Sequence, residues 1–323
     1  MQKRIFMAAA AALCVLWGAP ALAQDKWPSR PIRIIVPYSP GDSPDVIARL
    51  IGTRLADQLG QAVVVDNKAG ASGQIGLDQT AKAAPDGYTL GVGLVTNLAL
   101  ATATYRSVPY NPLKDLQPVA LGAYNYLALV ARPDAPYSTV AEMIAWAKAN
   151  PGKMSIGTTS SGGLPQMSFE LLAHDSGFAF LNVPYKGNGP VITDLTGGRL
   201  DLGVNPYTSV ASLAESGKLK LLGITYPKRD PAVPGLPAIA ETVKGYEATG
   251  WLGFVAPAGT PAAIVKRLNE EINRAIGQPD VQKSMATLGL IPSTATPEDF
   301  GRLIRADTEK YGKLVKDIGF QPQ

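Results

Sequence analysis

Cysteine is almost missing from this 323-residue chain, and the one it has, Cys14, lies in an apolar run near the start. Histidine also occurs once, as His174. Outside the opening residues the chain therefore has no thiolate and cannot form a disulfide. One histidine without cysteine makes a zinc site very hard to build. A serine hydrolase needs a base beside its nucleophile, but no Gly-x-Ser-x-Gly elbow accompanies His174. That residue reads instead as an exposed cation near a helix C-terminus. Gly91-Val92-Gly93 and Gly187-Asn188-Gly189 lack the third glycine and the downstream acid of a dinucleotide fingerprint, and no Walker loop occurs. No repeat has a solenoid period. No spacing points to a pair of carboxylates for acid–base work, although sequence leaves that option open, and no metal or cofactor is expected.

Excess charge is missing too. Lys and Arg total 30 against 26 Asp and Glu; setting aside Lys3 and Arg4 leaves 28 basic residues. Such balance gives no reason to expect nucleic acid. Charged residues are 17% and apolar residues 46%, which describes a globular chain long enough for two cores. The opening has the layout of a signal peptide over 1–23. Lys3 and Arg4 form a positive region, Phe6 to Trp17 an apolar one, and Ala21-Leu22-Ala23 a small-x-small cleavage site before Gln24. No later run is long enough to span a bilayer, so the expected product is secreted and soluble, in a periplasm.

What the chain does have is a repeated strand–loop–helix pattern. Ile32-Arg33-Ile34-Ile35-Val36 reads as a buried strand. Ser39-Pro40-Gly41-Asp42-Ser43-Pro44-Asp45 is the turn after it, and Val46, Ile47, Leu50, Ile51, Leu55 and Leu59 recur at helical spacing. Ser43 suits the N-cap, Pro44 the first turn, and Asp45 the positive end of the dipole. The pattern returns at Ala62–Asp66, which reads as a second buried strand, and at Tyr88–Leu94, where Thr96 and Asn97 open the next helix. It returns again at Met154–Gly157 followed by Thr158–Gly163, at Phe180–Val183 followed by Pro184–Pro190, and at Leu200–Val204 followed by Asn205-Pro206-Tyr207-Thr208. The expected architecture is α/β, with mainly parallel sheets flanked by helices on both faces. Turns of this kind in two halves of the chain aim helix N-termini, with their unpaired N–H groups, at a shared cleft.

Longer stretches resemble one family. Pro31–Gly41, Val65–Gly73, Ala84–Leu90, Val183–Gly187, Gly245–Glu247, Ala256–Pro261 and Ala286–Gly289 are, in order, similar to the Bug-type extracytoplasmic solute receptors of tripartite tricarboxylate transporters. The resemblance implies a type II-like, two-lobed periplasmic binding fold that closes on a small organic acid, without enzymatic activity. It further implies a monomer that delivers its ligand to the membrane components of the transporter. Lobe 1 is expected at 24–124 plus 248–323 and lobe 2 at 125–247. One ligand carboxylate is then expected among Ser39, Gly41, Ser43, Thr159, Ser160, Ser161 and Gly162, with Tyr185, Asn205, Tyr207 and Thr208 on the rest of the ligand. Tyr38, Asp42, Asp45, Thr96 and Asn97 complete the candidate set. The ligand could be a di- or tricarboxylate, an aromatic carboxylate, or an amino acid or other zwitterion, and the role transport or sensing.

The chain departs from the family pattern in three places. Asp42 stands where a second glycine is usual, Pro165 near a usual histidine, and Asn205 where an acid is common. Asp42 either faces the cleft, where its charge would select a ligand with an ammonium group, or points away, turned to solvent or capping its own turn.

Overall fold

A computed structural model describes residues 27–159 and 161–323. The expected signal peptide and Ser160 lie outside the described residues. Two mixed sheets organise the rest. In the first, β1 (Ile32–Val36) is flanked by parallel β2 (Val63–Asn67) and β3 (Thr89–Leu94). β10 (Gly250–Pro257) then pairs antiparallel with β3 and with β4 (Leu116–Asn125), and β4 with β11 (Leu290–Pro292). In the second, β6 (Ser155–Thr158) is flanked by parallel β7 (Leu181–Pro184) and β8 (Leu202–Pro206). β5 (Leu127–Ala131) pairs antiparallel with β8 and with β9 (Lys220–Ile224). Only the strand–loop–helix repeats are parallel. Each sheet is completed by strands of opposite direction, so the expectation of mainly parallel sheets holds for one half of each.

Helix α1 (Ser43–Leu59) starts one residue before its sequence signals place it, with Asp42 and not Ser43 at the N-cap, and lays Ile47, Ala48, Ile51 and Leu55 on the first sheet. Each large aliphatic side chain buried there contributes roughly 1.5–3 kcal/mol. The second strand is less enclosed than its apolar run suggested. β2 is an edge strand and leaves Val64 53% exposed. The remaining helices are α2 (Gln74–Ala81), the short α3 (Ala101–Thr104), α4 (Val140–Ala149), α5 (Leu164–Ser176), α6 (Asn188–Thr196), α7 (Tyr207–Glu215), α8 (Ala262–Ile276), α9 (Pro279–Thr287) and α10 (Pro297–Asp317). A π-helical turn, Thr96–Leu100, runs directly into α3. His174 is exposed near the end of α5, beside Asp175.

The two sheets are joined by crossings that lie side by side. A single residue, Tyr126, separates β4 from β5. On the return path the Thr225 N–H donates to the Leu127 carbonyl at 2.9 Å, the Leu127 N–H to Thr225 Oγ1 at 3.0 Å, and the Ala248 N–H to the Thr225 carbonyl at 3.2 Å. Gly250 pairs with Asn125 immediately afterwards. Helix α10 makes a further tie, since Phe300, Ile304, Tyr311 and Leu314 share one buried cluster with Leu164, Met167 and Phe169 of α5.

Candidate functional site

The turn between β1 and α1 is held by its own acids. Asp45 is buried, and its oxygens accept from the Gly41 N–H (2.9 Å), Arg49 Nε (3.0 Å) and Asn67 Nδ2 (2.9 Å). Burial alone would raise its pKa, but the bonds from Arg49, Gly41 and Asn67 and the Arg49 charge outweigh it and hold the carboxyl below the usual aspartate range. A depressed folded-state pKa stabilises the fold above the unfolded value of about 3.9, and that contribution disappears as pH falls through the folded value. Asp45→Asn is therefore expected to lower the melting temperature at pH 7 and to flatten its fall below about pH 4. An unchanged acid limb would show that Asp45 does not brace the turn.

Asp42 is exposed and accepts the Ser39 N–H through Oδ2 at 3.2 Å. Of the two alternatives for this residue, the structure has the turn cap. The Ser39 and Gly41 N–H groups are thus engaged inside the turn, where the sequence suggested they would meet a ligand. Asp45 braces the turn, with both oxygens spent on internal partners. Ser43, at the helix start, remains turned to the cleft as a lining residue.

Behind this turn sits Asn97. Its Oδ1 accepts the Leu94 N–H at 2.8 Å and its Nδ2 donates to the Tyr38 hydroxyl at 3.0 Å. Burial foremost, with Tyr105 and Asp42 nearby, pushes the Tyr38 phenol well above its ordinary pKa, so it stays protonated. The Tyr110 hydroxyl donates to the Asn97 carbonyl at 2.7 Å. Thr96 is half-buried at the start of the π-turn, a type of irregularity common at functional sites. The neighbouring loop carries left-handed backbone at two non-glycine residues, Ala71 (φ 47°) and Ser72 (φ 54°), and the Tyr105 hydroxyl donates to Ser72 Oγ. Such residues cost roughly 1–2 kcal/mol each, and the surrounding bonds hold them there.

On the second sheet the Thr159–Gly163 turn leads into α5. Thr159 and Ser161 are half-buried, and the Gly162 N–H donates to Gln166 Oε1 at 2.9 Å. Gln166 Nε2 donates in turn to Glu170 at 3.2 Å. Burial holds the Glu170 pKa above the usual range, against the bond from Gln166. Gly162 reaches across to the first sheet's half, where a Cβ built on it would lie 2.9 Å from Thr104 Cβ. Tyr185 gives its hydroxyl to Asp194 at 2.6 Å and packs among Val191 and Leu195, so its polar atom is spent inside the lobe, contrary to a ligand-contacting role. Asn205 is fully buried and donates through Nδ2 to Asn188 Oδ1 at 3.2 Å, which places it behind Asn188.

A cavity of about 280 Å³ lies between the two halves. Ser43, Pro44 and Leu94 line it from the first sheet's βα turns, and Asn188, Pro206, Tyr207, Thr208 and Ser209 from the starts of α6 and α7. Asn125 and Tyr126 form its back at the crossing. Leu252, Leu288, Gly289 and Leu290 close the remaining side. The halves nearly touch here, since a Cβ on Gly289 would meet Thr208 Cγ2 at 2.6 Å. A larger depression of about 770 Å³, around Lys148, Asp175 and Lys244, is broad and shallow and contains none of the candidate residues.

Of the residues read from the sequence, Ser43, Tyr207 and Thr208 meet at this cavity, while Gly162 stands at a second contact between the halves, with Thr159 and Ser161 half-buried in the same turn. Asn188, Tyr126 and the Leu288–Leu290 stretch were missed. Asn188 had a signal, an amide just before Gly189-Pro190 at a helix start. The other two had none, because their place depends on how the halves are joined. Trp251, near the cavity in β10, is a core residue, only 1% exposed.

The chain is similar to known proteins over most of its length. Residues 47–320 match the family described as "Tripartite tricarboxylate transporter family receptor". The Bordetella pertussis protein BugT is 36% identical over 305 residues, which are 93% of each chain. Among solved structures, Rpa4515 of R. palustris with adipate superposes with a TM-score of 0.78 at 34% identity, covering 92% of this chain and 100% of that one. MatC of Rhodopseudomonas palustris with bound malate gives 0.73 at 30% identity, covering 90% and 100%.

Proposed function

Because the chain belongs to the tripartite tricarboxylate transporter receptor family, we propose that it is a periplasmic receptor that closes two lobes on a small organic acid. It acts as a monomer and hands the acid to the membrane components of such a transporter. The lobes are 24–124 plus 248–323 and 125–247, a division supported by the paired crossings at Tyr126 and at Ala248–Gly250.

One observation carries the reading. The cavity between the halves receives the starts of three helices, α1 at Ser43, α6 at Asn188 and α7 at Tyr207 and Thr208, from both sides of the cleft. Helix N-termini offer unpaired N–H groups and positive dipole ends to an anion. Adipate and malate in two similar receptors support a carboxylate as that anion. Adjacent extended crossings suit hinge closure. Gly162 stands where closing would press it against the first lobe, as its approach to Thr104 indicates, and Thr159 and Ser161 share its turn.

A melting-temperature screen with aliphatic and aromatic acids tests this. A ligand that binds only the folded state at a hundred times its Kd adds about 2.7 kcal/mol, a rise of several degrees. No response to any acid would remove the reading, and turnover of a bound acid would make the protein an enzyme. With Asp42 capping its own turn, Asp42→Gly is expected to leave affinity within about threefold for plain acids and zwitterions alike. Calorimetric titration measures both, and a divergence between the two ligand types would restore Asp42 as a selector.

A further inference from the structure

The cavity walls differ in chemistry from side to side. The polar groups are the Ser43, Thr208 and Ser209 hydroxyls, the Tyr126 and Tyr207 phenols and the Asn125 and Asn188 amides. They are uncharged, and Asn188 already accepts through Oδ1 from Asn205, which leaves its NH₂ to donate outward. Across from the helix starts stand Leu94, Leu252, Leu288 and Leu290, with the Tyr126 ring at the back. That ring is fixed by Tyr207 and Tyr226, each 6.2 Å away between centroids. Among the described residues no Lys, Arg, His, Asp or Glu lines the cavity.

One anionic group can be met at the helix starts by N–H dipoles and neutral donors. A second carboxylate would have to lie against the leucines, stripped of water with no counter-charge and few donors, and buried charges without partners are strongly disfavoured. An apolar body there instead loses only ordered water. We propose that the cavity selects a monocarboxylate with an apolar body, aromatic or aliphatic, over the dicarboxylate of the same skeleton. The carboxylate sits at Ser43, Asn188 and Thr208, and the body lies against Leu252, Leu288 and Leu290. This rests on the carboxylate-receptor reading above and narrows it to one chemical class.

Matched pairs test it: hexanoate against adipate, and benzoate against terephthalate, each titrated calorimetrically into the full protein. The monoacid of each pair is expected to bind at least about tenfold more tightly, roughly 1.4 kcal/mol. Tighter binding of both diacids would overturn the class assignment while leaving the receptor reading intact. Silence from all four acids, with none raising the melting temperature, would overturn the assignment, and the receptor reading would then rest on the wider acid screen alone. Leu288→Arg, which puts a cation at the apolar end, is expected to reverse the order within each pair, provided its melting curve shows a folded protein. A folded variant that still prefers the monoacids would place their bodies elsewhere and refute the assignment to this wall. Should the variant fail to fold, the four wild-type titrations still decide.

Discussion

Gly162→Phe is expected to abolish the rise in melting temperature that an acid ligand produces, while leaving a folded protein. The backbone at Gly162 has φ +70°, a region that costs other residues roughly 1–2 kcal/mol. Space is the larger obstacle, because a Cβ would stand 2.9 Å from Thr104 Cβ and 3.2 Å from its Oγ1. A bulky side chain there acts as a wedge between the two halves. The lobes can relieve it by moving apart, so stability should fall by only about 1–3 kcal/mol, but closure is blocked. Scattering of the variant should show no compaction at an acid concentration that compacts the wild type. Pairing the smaller Gly162→Ala with Thr104→Gly removes the opposing carbon and should restore much of the response. Full compaction and affinity in Gly162→Phe would take this turn out of the closing movement.

The largest expected loss of stability comes from Trp251→Ala. The indole is enclosed between β10 and α10, edge-on to Phe300 with ring centroids 5.5 Å apart. Its Nε1 donates to Asp307 Oδ2 at 2.6 Å, and Lys310 Nζ approaches the other Asp307 oxygen at 2.6 Å. Truncation leaves a cavity the size of the indole and removes a donor from a buried carboxylate. Large aromatic deletions of this type cost about 3–5 kcal/mol. Trp251→Phe refills most of the volume but not the hydrogen bond, and should cost about 1–3 kcal/mol. Chemical denaturation orders the three proteins. A cost below about 1 kcal/mol for the alanine variant would mean that the tie between β10 and α10 is slack.

The elements legible in the sequence were those whose signals are local. Helix α1 needs only its apolar spacing and its Ser-Pro-Asp start. Strand β9 (Lys220–Ile224) and the short β11 passed unread, since neither has a helix or turn of distinctive chemistry beside it, and each is defined by the strand it joins. Nothing in the two short apolar runs on either side of Tyr126 shows that they enter different sheets. The site divides in the same way. Ser43, Tyr207 and Thr208 announce themselves as helix starts, whereas Leu252 and Leu290 are ordinary strand residues until the halves are brought together. Asp45 and Tyr185 show what local signals omit: a polar side chain near a cleft has neighbours within its own lobe, and here Arg49 and Asp194 take them.

Strand β10 lies between β3 and β4, although more than a hundred residues separate Asn125 from Gly250 in the chain. As a nascent chain emerges, the second sheet can be assembled while the first still lacks this central strand. Until Gly250–Pro257 arrives, β3 and β4 present open, strongly apolar edges, which invite pairing with other chains. The first sheet therefore closes late, around a template that the completed second sheet has already brought near. Such a chain is kept from finishing its fold until most of it has been made, and its two halves are completed in the reverse of the order in which they begin.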